Sequence, residues 1–306
     1  MTAFEKARNY LYRNATPLQL AKWKFFFESG SEEDILTALG SYQNEDGGFG
    51  HGLEADCFNP NSSPIQTWSA TETLGMIMFK DGSHPIVKGI LKYLESGADF
   101  DNDKMQWLNT VPTNNDYPHA IWWEYAEGGG EFKYNPTAAL AGFILIFADK
   151  DSALYQKGCE IAKSSANWFF DNSPVTEQHI LGCFAALFNM CFIAGKTDLF
   201  DMQRMGEQLL ISAKNAVCCD PEEWGKAYMA VPQDFVMSRE SPFYSVLGEA
   251  AEKYADFLLD SQLEDGSFPV TWQWVTGYSE FEVSKVRWKC EFIIKNMLFL
   301  RNFGKL

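Results

Sequence analysis

The stretch Gln43-Asn44-Glu45-Asp46-Gly47-Gly48-Phe49-Gly50-His51-Gly52-Leu53-Glu54-Ala55-Asp56 sets a histidine and two carboxylates beyond a turn with four glycines in six positions. A histidine titrates near neutrality, and two carboxylates close together can divide into acid and base, so this loop is a candidate for proton transfer. A second group, Asp116, His119, Trp122, Trp123 and Glu124, mixes the same polar types with aromatic rings, and Trp272, Trp274 and Glu282 make a third. Converging polar groups in an aromatic-lined concavity are the default description of a ligand site. We assign acid–base roles to His51, Glu54, Asp56, His119 and Glu124, and substrate contacts to Glu72, Asp116, Trp122, Trp123, Trp272, Trp274 and Glu282. The competing readings are structural: loop hydrogen bonds for the histidines, a solvated loop for the acids and core packing for the tryptophans. Glu72 sits two turns into a helix beside Trp68 and Met76, where burial against a cavity raises a carboxyl pKa. No residue is assigned to a metal and no cofactor is specified. Asp99, Asp101 and Asp103 imitate the start of a calcium loop, but Lys104 replaces its glycine and Thr110 its closing glutamate. Cys218-Cys219-Asp220 has no histidine nearby in sequence to complete a metal site.

The elements that must position these groups are helices. A capping residue followed by proline occurs at Thr16-Pro17, Ser63-Pro64, Asn135-Pro136, Ser173-Pro174 and Ser241-Pro242, and Ser31-Glu32-Glu33-Asp34 is a further start. Leu247, Ala250, Ala251, Tyr254 and Leu258 form one apolar stripe, the pattern of a helix with one wet face. Residues 138–148 and 180–194 are apolar on nearly every side and read as buried helices. The two kinds alternate along the chain, which predicts eleven or twelve helices in hairpins, with 270–275 as one short β-capable run. No composition break separates domains, so residues 1–306 read as one all-α domain.

Composition narrows the partners. Hydrophobic residues make up 46% of the 306 positions, enough for a sizeable core. A net charge of −16 repels phosphate backbones and anionic lipid, which excludes nucleic acid as an expected partner. The longest apolar run is too short for a membrane span, no signal-like segment opens the chain, and seven cysteines without Cys-x-x-Cys spacing point to a reducing cytoplasm.

Gln43-x-x-Asp46-Gly47-x-Phe49 returns as Gln262-x-x-Asp265-Gly266-x-Phe268. The pair resembles the Gln-x-x-Asp-Gly-aromatic repeat of squalene and terpenoid cyclases and of protein prenyltransferase β-subunits. The phrases Asp46-Gly47-Gly48-Phe49-Gly50-His51-Gly52-Leu53-Glu54-Ala55-Asp56 and Asn115-Asp116-Tyr117-Pro118-His119-Ala120-Ile121-Trp122-Trp123, with the closing Leu300-Arg301-Asn302-Phe303-Gly304-Lys305-Leu306, are similar to a bacterial group called prenyltransferase-like or squalene-cyclase-like. The resemblance implies an α/α toroid, a double ring of helical hairpins whose loops gather at one mouth of a central cavity. The Asp-x-Asp-Asp proton donor of squalene-type cyclases is absent, and the Asp, Cys and His zinc set of protein prenyltransferases has no match here. The expected function is therefore an acid–base enzyme on a toroid, acting on a small molecule, isoprenoid or sugar. The alternatives are a carbohydrate-active hydrolase or lyase on the same fold and a non-catalytic binding scaffold.

Overall fold

A computed structural model describes residues 1–127 and 132–306. Among them, eleven α-helices follow in order: α1 (Ala3–Asn14), α2 (Pro17–Phe27), α3 (Glu32–Gly40), α4 (Pro64–Met76), α5 (Pro85–Ser96), α6 (Thr137–Phe147), α7 (Ala153–Asn172), α8 (Gln178–Ile193), α9 (Met202–Ala216), α10 (Tyr244–Ser261) and α11 (Phe281–Asn302). A small antiparallel hairpin pairs β1 (Phe100–Asp101) with β2 (Gln106–Trp107). The β-capable run at 270–275 stays irregular, and the expected strand content falls on this hairpin instead. Its turn uses the calcium-like aspartates internally: Asp101 Oδ1 accepts from the N–H groups of Asp103 and Lys104, each at 3.0 Å.

Several helix starts follow the capping logic. Thr16 accepts from Gln19 N–H with Pro17 next in line, Ser31 accepts from Asp34 N–H, and Ser63 accepts from Gln66 N–H ahead of Pro64. Each side-chain oxygen satisfies a donor that the helix itself leaves free. The starts expected at Asn135-Pro136, Ser173-Pro174 and Ser241-Pro242 are displaced because those polar side chains are engaged elsewhere. Ser173 Oγ donates back to Phe169 C=O at 2.7 Å and closes α7, while α8 begins later with Glu177 as its cap. Asn135 Oδ1 faces the Cys183 thiol at 3.5 Å, and Ser241 Oγ donates to Phe235 C=O at 2.8 Å.

The chain forms two compact units, one of residues Tyr42–Asn215 and one joining Met1–Ser41 to Ala216–Leu306. In the continuous unit, α6 is the core: its residues from Thr137 to Leu145 are buried, and it packs against both α7 and α8. Helices α5, α7 and α9 each bury one stripe, as their one-sided patterns require. Helix α8 departs from the expected all-round burial. Ile180, Leu181, Phe184 and Leu187 are buried, whereas His179, Asn189 and Phe192 are exposed and Gly182, Ala185 and Ala186 half-buried. Apolar composition reported one packed face and one accessible face alike. In the other unit, α1 packs on α11, and Lys22 meets Glu291 at 2.7 Å.

The two repeated turns are the same structure. Gln43 Nε2 donates to Gly47 C=O at 2.9 Å and to Ile86 C=O at 3.1 Å, and Gln262 Nε2 donates to Gly266 C=O at 3.1 Å and to Ala3 C=O at 2.9 Å. Asp46 and Asp265 each accept a backbone N–H two residues ahead at 2.9 Å. Phe49 and Phe268 are buried, at 0% and 2% exposure. Each turn thus bonds the first turn of a helix, α5 or α1. The glycines are obligatory twice over. Gly47 and Gly266 have φ of +95° and +94°, and a Cβ would come within 2.1 Å of Gly89 O or 2.2 Å of Lys6 O.

Gly47→Ala and Gly266→Ala should each cost on the order of 2–4 kcal/mol, since strain and a backbone clash add. Gly195→Ala, at φ +67° in open space, should cost only about 1 kcal/mol. Chemical denaturation of the three variants reads the difference; equal losses would mean that the clash contributes nothing.

Candidate functional site

The loop between the first repeated turn and α4 is held by buried amides. Asn59 is fully buried, and its Nδ2 donates to Thr113 Oγ1 and to Asn114 Oδ1, both at 2.9 Å. Its Oδ1 accepts from Asn61 N–H at 2.9 Å and Asn61 Nδ2 at 3.0 Å, and its carbonyl accepts from Gln66 Nε2 at 2.9 Å. Gln66 Oε1 in turn takes the Leu53 N–H at 2.9 Å, and Asn114 Nδ2 donates to Trp123 C=O at 2.9 Å. Every polar atom of the Asn59 side chain is used, so the knot fixes geometry without an unsatisfied group.

Backbone bonds braid this loop to the one carrying His119. Phe58 N–H donates to Pro118 C=O and Ala120 N–H to Asp56 C=O, both at 2.9 Å, with Cys57 bridging antiparallel to His119 between them. The loop that carries Glu54 and Asp56 thus touches the loop that carries His119 along residues 56–58 and 118–120. The individual roles separate. His51 is exposed, and its Nε2 meets Asn44 Oδ1 at 2.9 Å. His119 is buried at 5% exposure, and its Nδ1 meets Tyr117 C=O at 2.7 Å. That contact makes Nδ1 the protonated nitrogen of the neutral ring. Asp116, Trp122 and Glu124 are exposed, and Asp56 is buried at 2% exposure.

Glu54 is the chemically distinctive group. The residue is half-buried, and the surrounding protein pushes its pKa up to about 8. Burial is the largest cause and the charge of Asp56 the second; the Asp56 N–H, which donates to Glu54 Oε1 at 3.1 Å, opposes them, and Glu72 adds to the rise. The Trp123 indole also favours the charged carboxylate, although its buried Nε1 lies outside hydrogen-bond geometry. Glu54 is thus a half-buried carboxyl whose proton affinity is raised by burial and by the charge of Asp56. The neighbouring Cys57 thiol is pushed up to about 12 by burial, which makes it inert as a nucleophile.

Glu72 is exposed on α4, next to half-buried Trp68 and Met76 and exposed Gly75, so the burial expected of it is absent. Trp272, Trp274 and Glu282 belong to the other unit. There Trp274 is buried at 1% exposure, so it is core rather than the expected substrate surface. Trp272 is half-buried among Tyr228, Trp288 and Phe292, and exposed Glu282 pairs with Lys285 at 2.8 Å. Sequence reading missed Glu177 and His179, which lie at the start of α8 with His179 Nδ1 2.6 Å from Glu177 Oε1. The signal was an acid and a histidine two apart, obscured by the proline-based start placed at Ser173.

Among the described residues, no group of three His, Cys, Asp or Glu side chains is arranged to hold a metal, and all seven cysteines are free thiols. No described helix is long and apolar enough to cross a membrane. No family model, curated protein or solved structure matches the chain.

The native state keeps a proton on Glu54 from roughly pH 4.5 to 8, where the unfolded chain releases it. Stability from this group is therefore fully present below about pH 4.5 and is lost as pH rises through about 8. Glu54→Gln should match the parent at pH 4.5 and exceed it by on the order of 2–4 kcal/mol at pH 9, read from urea unfolding at both pH values. Asn59→Ala should lose about 2–3 kcal/mol at every pH, because it strands several buried partners at once.

Proposed function

We propose that the protein is an enzyme that uses Glu54 as a general acid toward a neutral small molecule, on an α/α-toroid plan like that of terpenoid cyclases and protein prenyltransferases. What carries the chemistry is the half-buried Glu54 carboxyl, whose Oε1 accepts from the Asp56 N–H at 3.1 Å and whose proton affinity is raised by burial and neighbouring charge. A carboxylic acid kept neutral near pH 7 has a proton to give where an ordinary glutamate has none. The toroid reading is supported by the identical turns at Gln43 and Gln262, each bonded to the first turn of a helix.

The acid strength selects among substrates. A carboxyl with a pKa of about 8 is far too weak to protonate an isolated alkene, the step that opens squalene-type cyclisation. It suits protonation of an oxygen that departs or becomes a hydroxyl, since general acids work best with a pKa near the working pH. Asp56 and Glu72 beside it disfavour a diphosphate. Carbohydrate-like substrates, with an acetal oxygen and no charge, therefore fit better than isoprenoid diphosphates. Trp122, 42% exposed and next to Trp123, offers a ring face of the kind that sugars stack on.

The test uses a panel of aryl and alkyl glycosides. The reading expects turnover that falls as pH passes about 8 and a loss of about 10²–10⁴ in Glu54→Gln on alkyl leaving groups. The loss shrinks on dinitrophenyl leaving groups, which need no proton. Independently, carbon-13 NMR of labelled glutamate must show Glu54 still protonated at pH 6.5; an ionised Glu54 there overturns the proposal whatever the substrate.

A further inference from the structure

The two repeated turns are built alike but differ in what lies against their aspartates. Gln43 bonds the carbonyl of Ile86 and Gln262 that of Ala3, so Tyr93 and Tyr10, each seven residues further on, hold equivalent places on α5 and α1. In the second turn Asp265 Oδ1 accepts from the Ser267 N–H at 2.9 Å and from the Ser267 hydroxyl at 2.6 Å. Its other oxygen faces a cation: Lys289 Nζ lies 3.6 Å from Asp265 Oδ2 and 5.7 Å from the centre of the Tyr10 ring. That ammonium sits between a carboxylate and an aromatic face, and both attract it.

The first turn keeps the carboxylate and the ring without the lysine. Asp46 Oδ1 accepts from the Gly48 N–H at 2.9 Å and from Ser62 Oγ at 2.7 Å, the counterparts of the two Ser267 bonds. Asp46 lines a hollow of about 500 Å³ together with Asn61, Ser62, Tyr93, Asp99 and Thr113. Asp99 is a second carboxylate there, and its Oδ2 accepts from the Tyr93 hydroxyl at 2.9 Å. Among the described residues no ion pair reaches either aspartate, and Asp46 Oδ2 and Asp99 Oδ1 accept no hydrogen bond. Lys92, beside Tyr93 in sequence, spends its ammonium on the Glu45 carbonyl at 2.9 Å. Burial raises the Asp99 pKa, the Tyr93 hydroxyl opposes the rise and the charge of Asp46 adds to it. Tyr93 and Asp99 also flank the C-terminal end of α5, where the helix dipole favours a cation.

We propose that this hollow binds a primary alkylammonium group, held by Asp46 Oδ2 and Asp99 Oδ1 against the Tyr93 ring. The ligand class follows from the second copy of the turn, where the chain supplies the same group as Lys289. A primary ammonium has three N–H donors, so it can serve both carboxylates and still offer one to Asn61 or Thr113. Two sources carry this group, a free aliphatic diamine and the lysine side chain of a peptide. No lining residue is Glu54, Asp56 or Glu72, so the site stands whether or not Glu54 is a general acid. It does share the Asn59 knot, since Thr113 Oγ1 and Asn61 Nδ2 both bond the Asn59 side chain.

Proton–nitrogen NMR of the full chain at constant pH and ionic strength tests this, with the Gly48 and Ser267 amides reporting on the two aspartates. Putrescine should shift Gly48 saturably and leave Ser267 still. Nα-acetyl-lysine methylamide is the second probe, and the tighter of the two identifies the source. Asp99→Asn keeps an oxygen for Tyr93 and a residue type that tolerates the φ of +54°. It should weaken binding by about tenfold or more, as loss of a charge-assisted hydrogen bond does. Lys289→Ala should open the second turn to the same probe, so that Ser267 shifts as well. No saturable shift at Gly48 overturns the site, and unchanged affinity in Asp99→Asn overturns its assignment to the two carboxylates. Calcium chloride or tetramethylammonium chloride matching the effect of putrescine overturns the ammonium class, since neither cation has an N–H to give. A silent Ser267 in Lys289→Ala removes the equivalence on which that class rests.

Discussion

Asn59 is the constraint on which the site depends. With no water to turn to, its amide has found a partner for each polar atom, and those partners are the loops that bear the chemistry. Through Asn114 it reaches the carbonyl of Trp123, and through Gln66 it reaches the backbone of Leu53. Glu54 lies one residue beyond Leu53, and its environment includes the Trp123 indole. A carboxyl can be kept from ionising only where its surroundings cannot relax around the charge. The buried amides supply that stiffness in a region with almost no regular secondary structure.

Stiffness also explains why the two carboxylates of the first loop differ. Asp56 and Glu54 are two residues apart, yet Asp56 gives its backbone to the braid, its carbonyl to Ala120 and its N–H to Glu54. Glu54 receives one local N–H, the charge of its neighbour and the desolvation of a recess. Burial and the charge of Asp56 are what drive the proton affinity of Glu54 up.

The legibility of the chain varied with how local each interaction is. The Gln-x-x-Asp-Gly-x-Phe turn could be read because its amide, carboxylate and glycine act within a few residues, and the same holds for the caps at Thr16, Ser31 and Ser63. What escaped was long-range. Nothing in Asn59-Pro60-Asn61 announces that Asn59 will bind residues 113 and 114. Trp274 looks like Trp272 in sequence, and only packing separates a core ring at 1% exposure from a half-buried one. Ser173-Pro174 has the form of a helix start, but the hydroxyl was drawn to the preceding helix, which hid the pair at Glu177 and His179.

The bond from Gln262 to Ala3 has a consequence for the order in which the molecule is made. Those residues are 259 positions apart, and the unit they belong to draws on both ends of the chain. The continuous unit can complete its own contacts as soon as it leaves the ribosome, at about 5–20 residues per second. Helix α1 cannot: its docking surface is synthesised some ten to fifty seconds later at that pace. Until then the faces of α1 to α3 that later become core stand open. A growing chain of this kind should lean on chaperones at its oldest part rather than its newest.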